Sequence, residues 1–247
     1  MDIKHKLKQI VTNKLFLSII TIAIIVTAAL ITIQKVRTIN DTERIALDEF
    51  TNRILPYLDE IDYDGEDASR VEDNYISFAM EYNFGENNKT EMAAEDIKKL
   101  AKDTFDYDLN LEELEHNPVS TRFMNKYISY NQQDKTFVID RQYINKQLVA
   151  ITPITKYIER DAYKSSGNFI VKYSKYQFET PYKILDCAAQ NNIPIPNFDD
   201  YINGTASAAS LKRAVNQDCA DKSASKIKDI TVTYSSKDGH LYIKDIK

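Results

Sequence analysis

The densest group of candidate ligands in the chain is a run of acids around one glycine, Asp59, Glu60, Asp62, Asp64, Gly65, Glu66 and Asp67. Calcium loops of the EF-hand kind need oxygen ligands at places 1, 3 and 5, a glycine at 6 for the sharp turn, and a bidentate glutamate at 12. Glu60, Asp62, Asp64 and Gly65 match the first four requirements, with glutamate where aspartate is usual. Place 12 falls on Val71, and Glu72 stands one residue late. Calcium is therefore the one cofactor the sequence suggests, with Glu60, Asp62, Asp64 and Glu72 as its ligands. The same residues read more simply as an exposed turn, in which Asp64 caps the following helix and the acids complement its dipole. A second run, Asp106, Asp108 and Asn110, lacks both the glycine and the late glutamate.

Cys187 and Cys219 are the only cysteines. In an oxidising compartment a single pair is most simply a disulfide, here closing a loop of about 33 residues and stabilising the fold by roughly 3–4 kcal/mol. Two buried thiols are the rival reading. Without a C-x-x-C the pair is not redox machinery, and two cysteines make a poor metal site.

Nucleophilic and nucleotide-binding signatures are absent from the sequence: no G-x-S-x-G, no Walker A, no G-x-G-x-x-G, no H-E-x-x-H. His5, His116 and His240 are scattered along the chain, and a triad or zinc site would need them to converge. Tyr157, Tyr163, Tyr173, Tyr176 and Tyr182 would form either an aromatic binding face or the core and rim of a sheet. The expectation is a protein that is not an enzyme.

The residues that must position these groups follow a long apolar run. Residues 15–33 are nineteen in a row without a charge, and as a helix they cover roughly 28 Å, close to the hydrocarbon thickness of a bilayer. Such a helix satisfies its own backbone and spans lipid alone. Lys4, Lys6, Lys8 and Lys14 precede it against one acid, Asp2, while Lys35 and Arg37 follow. That bias puts the N-terminus in the cytoplasm. The other readings weighed are a cleaved secretory signal, for which the run is long and lacks a clear A-x-A site, and a pilin-type anchor, which would want an early glycine and glutamate. The chain carries −5 overall although its first fourteen residues are basic, so the remainder is strongly acidic and has no long-range attraction for nucleic acid.

Hydrophobic residues make up 43% of the chain, with 16 Tyr and 10 Phe, enough to build one or two ordinary cores. Asn40 with Glu43 three residues on is a capping box, and Leu47, Phe50, Ile54 and Leu58 then form an apolar stripe that Pro56 should kink or end. Val71, Tyr75, Phe78 and Tyr82 mark a further helix. Asn88 with Glu91 reads as the start of another, carrying Ala93, Ile97, Leu100 and Ala101. From Lys135 the texture turns to strand, in TFVIDRQYI, LVAITPITKYI and the alternating Phe169, Val171 and Tyr173. Tyr176 and Phe178 fall on the opposite parity, which predicts a bulge near Ser174. Pro153 assigns its strand to an edge or a bulge. Thr180-Pro181 opens a helix to about Gln190, a short helix near Asp199 ends at Asn203-Gly204, and residues 207–219 form an Ala-rich helix reaching Cys219. A hairpin turning at Lys237-Asp238-Gly239 closes the chain.

The resulting expectation is an α+β protein: cytoplasmic tail 1–14, transmembrane anchor 15–33, stalk helix 34–58, helical segment 59–117, and an extracytoplasmic domain 118–247 with a mostly antiparallel sheet and a helical insertion. This order of elements is similar to extracytoplasmic domains of the NTF2-like or cystatin-like kind, among them assembly factors of bacterial secretion and conjugation systems. The likeness is one of element order, and fold does not by itself imply function. The function expected is a membrane-anchored interaction or assembly module of a bacterial envelope with a protein partner. An envelope sensor for a small ligand or Ca²⁺, and an unrecognised envelope hydrolase, are the alternatives.

Overall fold

The structure is a computed structural model that describes residues 14–61, 71–111, 119–120, 127–140 and 146–247. It is a mixed α+β fold with two antiparallel four-stranded sheets. Helix α1, Lys14–Arg37, contains the apolar run. Its contiguous described side chains are residues 18–28, and among the described residues no helix is long and apolar enough to cross a membrane. Helix α2, Asp41–Ile54, begins at Asn40 with the predicted capping box, in which Asn40 Oδ1 accepts from the Glu43 amide at 2.9 Å and Glu43 accepts from the Asn40 amide at 3.0 Å. The stripe ends as Pro56 requires, in a 3₁₀ turn over Leu55–Glu60.

Within the expected stalk segment, residues 47–58 pack onto the rest of the fold. Leu47, Phe50 and Ile54 of α2, with Tyr57 and Leu58 of the turn, are buried against the larger sheet. That sheet runs in the order β5-β6-β7-β8, with β5 Ile154–Ser165, β6 Asn168–Phe178, β7 Ser225–Lys237 and β8 His240–Ile246. Strand β5 starts just after Pro153 and lies at an edge, as the proline demands. The closing hairpin turns on Asp238 and Gly239, both at positive φ (51° and 81°), the backbone a two-residue hairpin loop needs.

The smaller sheet corrects two helical expectations. Helix α3, Val71–Asn87, ends where Asn88 takes a left-handed φ of 53°, and Glu91–Ala93 then forms strand β1 before helix α4, Ala94–Phe105. The Asn83 side-chain amide donates to the Glu91 carbonyl at 2.9 Å and holds the reversal. Strand β1 pairs with β4, Thr136–Asp140, which pairs with β3, Tyr127–Asn131, and β3 with β2, Val119–Ser120. Residues 59–117 thus contribute a strand to the sheet of the following segment. LVAI is likewise not strand: Lys146–Ile151 is helix α5, and Val149 packs against the insertion.

The parity change in β6 has a different origin from a bulge in that strand. Phe169, Val171 and Tyr173 face α2, opposite Tyr234, Val232 and Ile230 of β7, whereas Tyr176 and Phe178 are buried on the other face against the helical insertion. Register does slip here, between Lys175 and Tyr176, but the extra residue is Ile227 on β7. Strand β6 alternates without interruption, and it is covered on both faces only in its second half.

The insertion comprises α6, Pro181–Gln190, α7, Phe198–Ile202, α8, Ala209–Ala214, and α9, Gln217–Ser223. The single helix expected over 207–219 is broken at Val215–Asn216, where the Asn216 side chain accepts from the Cys219 amide and starts a new helix. Cys187 and Cys219 are joined in a disulfide, with Cα atoms 5.6 Å apart, and both are buried.

Candidate functional site

The 3₁₀ turn, strand β5, strand β6 and helix α8 meet at Asp59. The Asp59 carboxylate is 9% exposed and receives the Lys212 ammonium at 2.7 Å on Oδ2 and the Lys175 ammonium at 3.0 Å on Oδ1. The Tyr157 hydroxyl donates to Oδ1 at 2.8 Å, and the Thr155 hydroxyl donates to Oδ2. Alternation along β5 puts Thr155 and Tyr157 on one face, and Lys175 stands directly across from Tyr157 in the β5–β6 register with its ammonium 5.3 Å from the ring centroid. Lys212 also donates to the Pro56 carbonyl at 2.8 Å and is 1% exposed. The two lysines hold the Asp59 carboxyl well below the usual carboxylate range, against the opposing cost of its burial. A carboxylate so fully engaged is no general base: every donor around it stabilises the charged form. It ties the turn, the sheet and the insertion together.

Beside this cluster lies a cavity of about 330 Å³, lined by Asn52, Leu55 and Pro56 from the α2 end and by Lys156, Tyr157, Lys212 and Arg213. Its charged lining residues are three cations and no acid. Lys212 is balanced by Asp59 behind the wall, and Arg213 pairs with Glu86 of α3. Among the described residues no acid pairs with the Lys156 ammonium, and burial with Lys212 and Arg213 nearby brings it down to about 8.

Gly85 of α3 secures the Glu86 side of this wall. A Cβ at Gly85 would fall against the Tyr57 hydroxyl and 2.7 Å from Ser207 Oγ. Without it the Tyr57 hydroxyl reaches Glu86 Oε1 at 2.6 Å, the same oxygen that Arg213 engages. Gly85→Ala is therefore expected to destabilise the protein by about 1–3 kcal/mol through overpacking, although alanine is the better helix former by about 1 kcal/mol. Urea unfolding midpoints check this, and an unchanged or raised midpoint would refute the close approach.

Of the acids singled out in the sequence, Glu60 is fully buried in the 3₁₀ turn, where it accepts from the Ser77 hydroxyl. Glu72 accepts from the Tyr107 hydroxyl at 3.1 Å. Asp62, Asp64 and Gly65 lie outside the described residues, as do His5 and His116. Among the described residues no three metal-ligating side chains are grouped. Asp106 and Asp108 both pair with Lys102 instead. His240 lies at the lip of a wider groove of about 770 Å³ with Arg53, Lys99 and Asp103, whose mixed charges select no ligand class. The tyrosines divide: Tyr157 and Tyr173 are core on one side of the large sheet, Tyr176 on the other, and Tyr182 is exposed beside Phe198.

The residues that sequence reasoning passed over are Lys156, Lys175, Lys212 and Arg213. Two signals were present. Lys175 shares the parity of Phe169, Val171 and Tyr173, and Lys212 follows Leu211 directly in the Ala-rich stretch Ala208, Ala209 and Ala214. Comparison of the chain with protein-family models, with curated proteins and with solved structures gives no match to any of them.

Proposed function

We propose that the chain is a membrane-tethered, non-catalytic binding module whose acidic domain stands outside the cytoplasm of a bacterial cell. The observation that carries this reading is the character of helix α1. Ile19, Ile20, Ile22, Ile24, Ile25, Val26 and Leu30 are each 41–63% exposed and are distributed round the helix, so no single apolar stripe could be covered by one neighbour. The polar Thr27 hydroxyl is returned to the helix's own Ala23 carbonyl at 2.8 Å, an arrangement suited to hydrocarbon. Nineteen uncharged residues in sequence supply the length for a span, the lysines ahead of them supply the orientation, and the disulfide suits an oxidising compartment.

Fractionation tests it. The protein is expected to remain with membranes through alkaline carbonate and to be released by a non-ionic detergent. Protease added to intact cells should remove the domain beyond residue 38 and leave an N-terminal tag protected. Recovery in the soluble fraction, or loss of the tag before the domain, overturns the reading. Crosslinking in intact cells should yield a species larger than the monomer; a chain isolated alone and monomeric counts against a protein partner. A small-ligand receptor is the second reading, and the cationic cavity favours it.

A further inference from the structure

We infer that the cavity between the end of α2, strand β5 and helix α8 is a binding site for a small oxyanion, with Lys156 as its principal contact and Lys212 and Arg213 as its flanks. This does not depend on where the protein resides. Three cationic side chains and no carboxylate line one cavity of about 330 Å³, a size within the range of small-molecule sites. Lys212 shares the Asp59 carboxylate with Lys175 behind the wall, Arg213 pairs with Glu86, and among the described residues no acid pairs with Lys156. A partly buried ammonium facing two other cations either loses its proton or takes up an anion. The oxyanion's oxygens would accept from Lys156 Nζ and from the Arg213 guanidinium, with the Lys212 charge behind them. Leu55, Pro56 and the Tyr157 ring offer room for a short carbon skeleton beside the charged group. A carboxylate or phosphate carried on a small metabolite has this chemistry.

Lys212 and Arg213 of α8 and Tyr157 of the neighbouring position line the cavity with Lys156, Tyr176 lies directly across from it on β6, and Asp59 of the 3₁₀ turn, Lys175 of β6 and Glu86 of α3 stand behind. Inorganic sulfate, whose charge is constant from pH 6 to pH 9.5, is the probe that separates the protein's titration from the ligand's. Isothermal titration of the full chain in non-ionic detergent, at constant ionic strength in chloride, should give saturable one-to-one binding at pH 7. Affinity should fall roughly tenfold between pH 7 and pH 9 as the Lys156 ammonium, brought down to about 8, gives up its proton. Lys156→Met should weaken sulfate at least tenfold, and Lys156→Arg should bind at both pH values with little difference between them. Lys164→Met, on the same strand but outside the cavity, should bind as the unaltered protein does. Inorganic phosphate and acetate as second probes distinguish a phosphate-bearing from a carboxylate-bearing ligand. Absence of saturable binding, or equal affinity in Lys156→Met, overturns the inference. If Lys156→Met does not fold, the pH series on the unaltered chain decides alone, and a flat series overturns it.

Discussion

Asp59→Ala is expected to lower the melting temperature by roughly 10 °C or more. The substitution leaves Lys212, 1% exposed, and Lys175, 9% exposed, without their shared counter-ion. Breaking a buried pair on one side typically costs about 3–5 kcal/mol, and in a chain of this size each kcal/mol shifts the melting temperature by about 2–4 °C. The companion variant carrying both Asp59→Leu and Lys212→Met removes the strongest stranded charge and should recover part of the loss, because the cost lies in the uncompensated ion rather than in the missing attraction. Equal melting temperatures for Asp59→Ala and the unaltered protein would show that water or rearrangement satisfies the lysines. The pH dependence has a definite sign. Since the folded protein holds the Asp59 carboxyl below its ordinary value, its contribution is fully present above about pH 4 and is lost as pH falls through the folded value. The gap in melting temperature between the unaltered chain and Asp59→Ala should therefore be constant from pH 5 to 7 and close below pH 4. A gap that widened on acidification would refute the assignment.

Removing the disulfide, as Cys187→Ala with Cys219→Ala, is expected to cost about 3–4 kcal/mol by the loop-entropy estimate, again on the order of 10 °C. The bridge closes the segment that carries α7, α8 and half of α6 and α9, and its sequence separation is 32. Within that segment lie both Lys212 and Arg213. Loss of the bridge should thus reach the Asp59 cluster and the cavity: sulfate affinity should fall along with stability, since two of the three cations ride on the clasped insertion. Differential scanning calorimetry of the double variant measures the first effect and titration the second. An unchanged melting temperature would mean that the apolar packing of Ile184, Tyr201, Leu211 and Val215 holds the insertion unaided.

Much of the local structure was legible in the chain because it depends on near neighbours. The capping box at Asn40 and Glu43, the stop at Pro56, the helix opening at Pro181 and the hairpin at Asp238-Gly239 are each decided within a few residues, by a hydrogen bond, a missing donor or a positive φ. The cysteine pairing was legible for a simpler reason: only one pairing exists. The run at Lys146–Ile151 reads as strand because a short apolar run suits either state, and Glu91–Ala93 reads as helix because Asn88 and Glu91 have the spacing of a helix start; what decides is a distant partner, the insertion for Val149 and strand β4 for Met92.

The candidate site belongs mostly to that second kind of information. Asp59, Thr155, Lys175 and Lys212 are up to 153 residues apart, and no spacing along the chain announces that they converge. The acids of residues 59–67 looked like one solvent-facing group, yet Asp59 and Glu60 are turned inward because Pro56 bends the apolar stripe of α2 into a turn that packs beneath the large sheet. Readable from the chain alone were the cap at Asn40, the stop at Pro56, the closing hairpin, the apolar run near the start and the overall sign of the charge, all of which depend on local residues or on simple sums over them. Which charges are buried, which are paired and which line a cavity was decided by tertiary structure, because the energy of an ion depends on the dielectric and the counter-charges around it, and these come from every strand and helix that packs there.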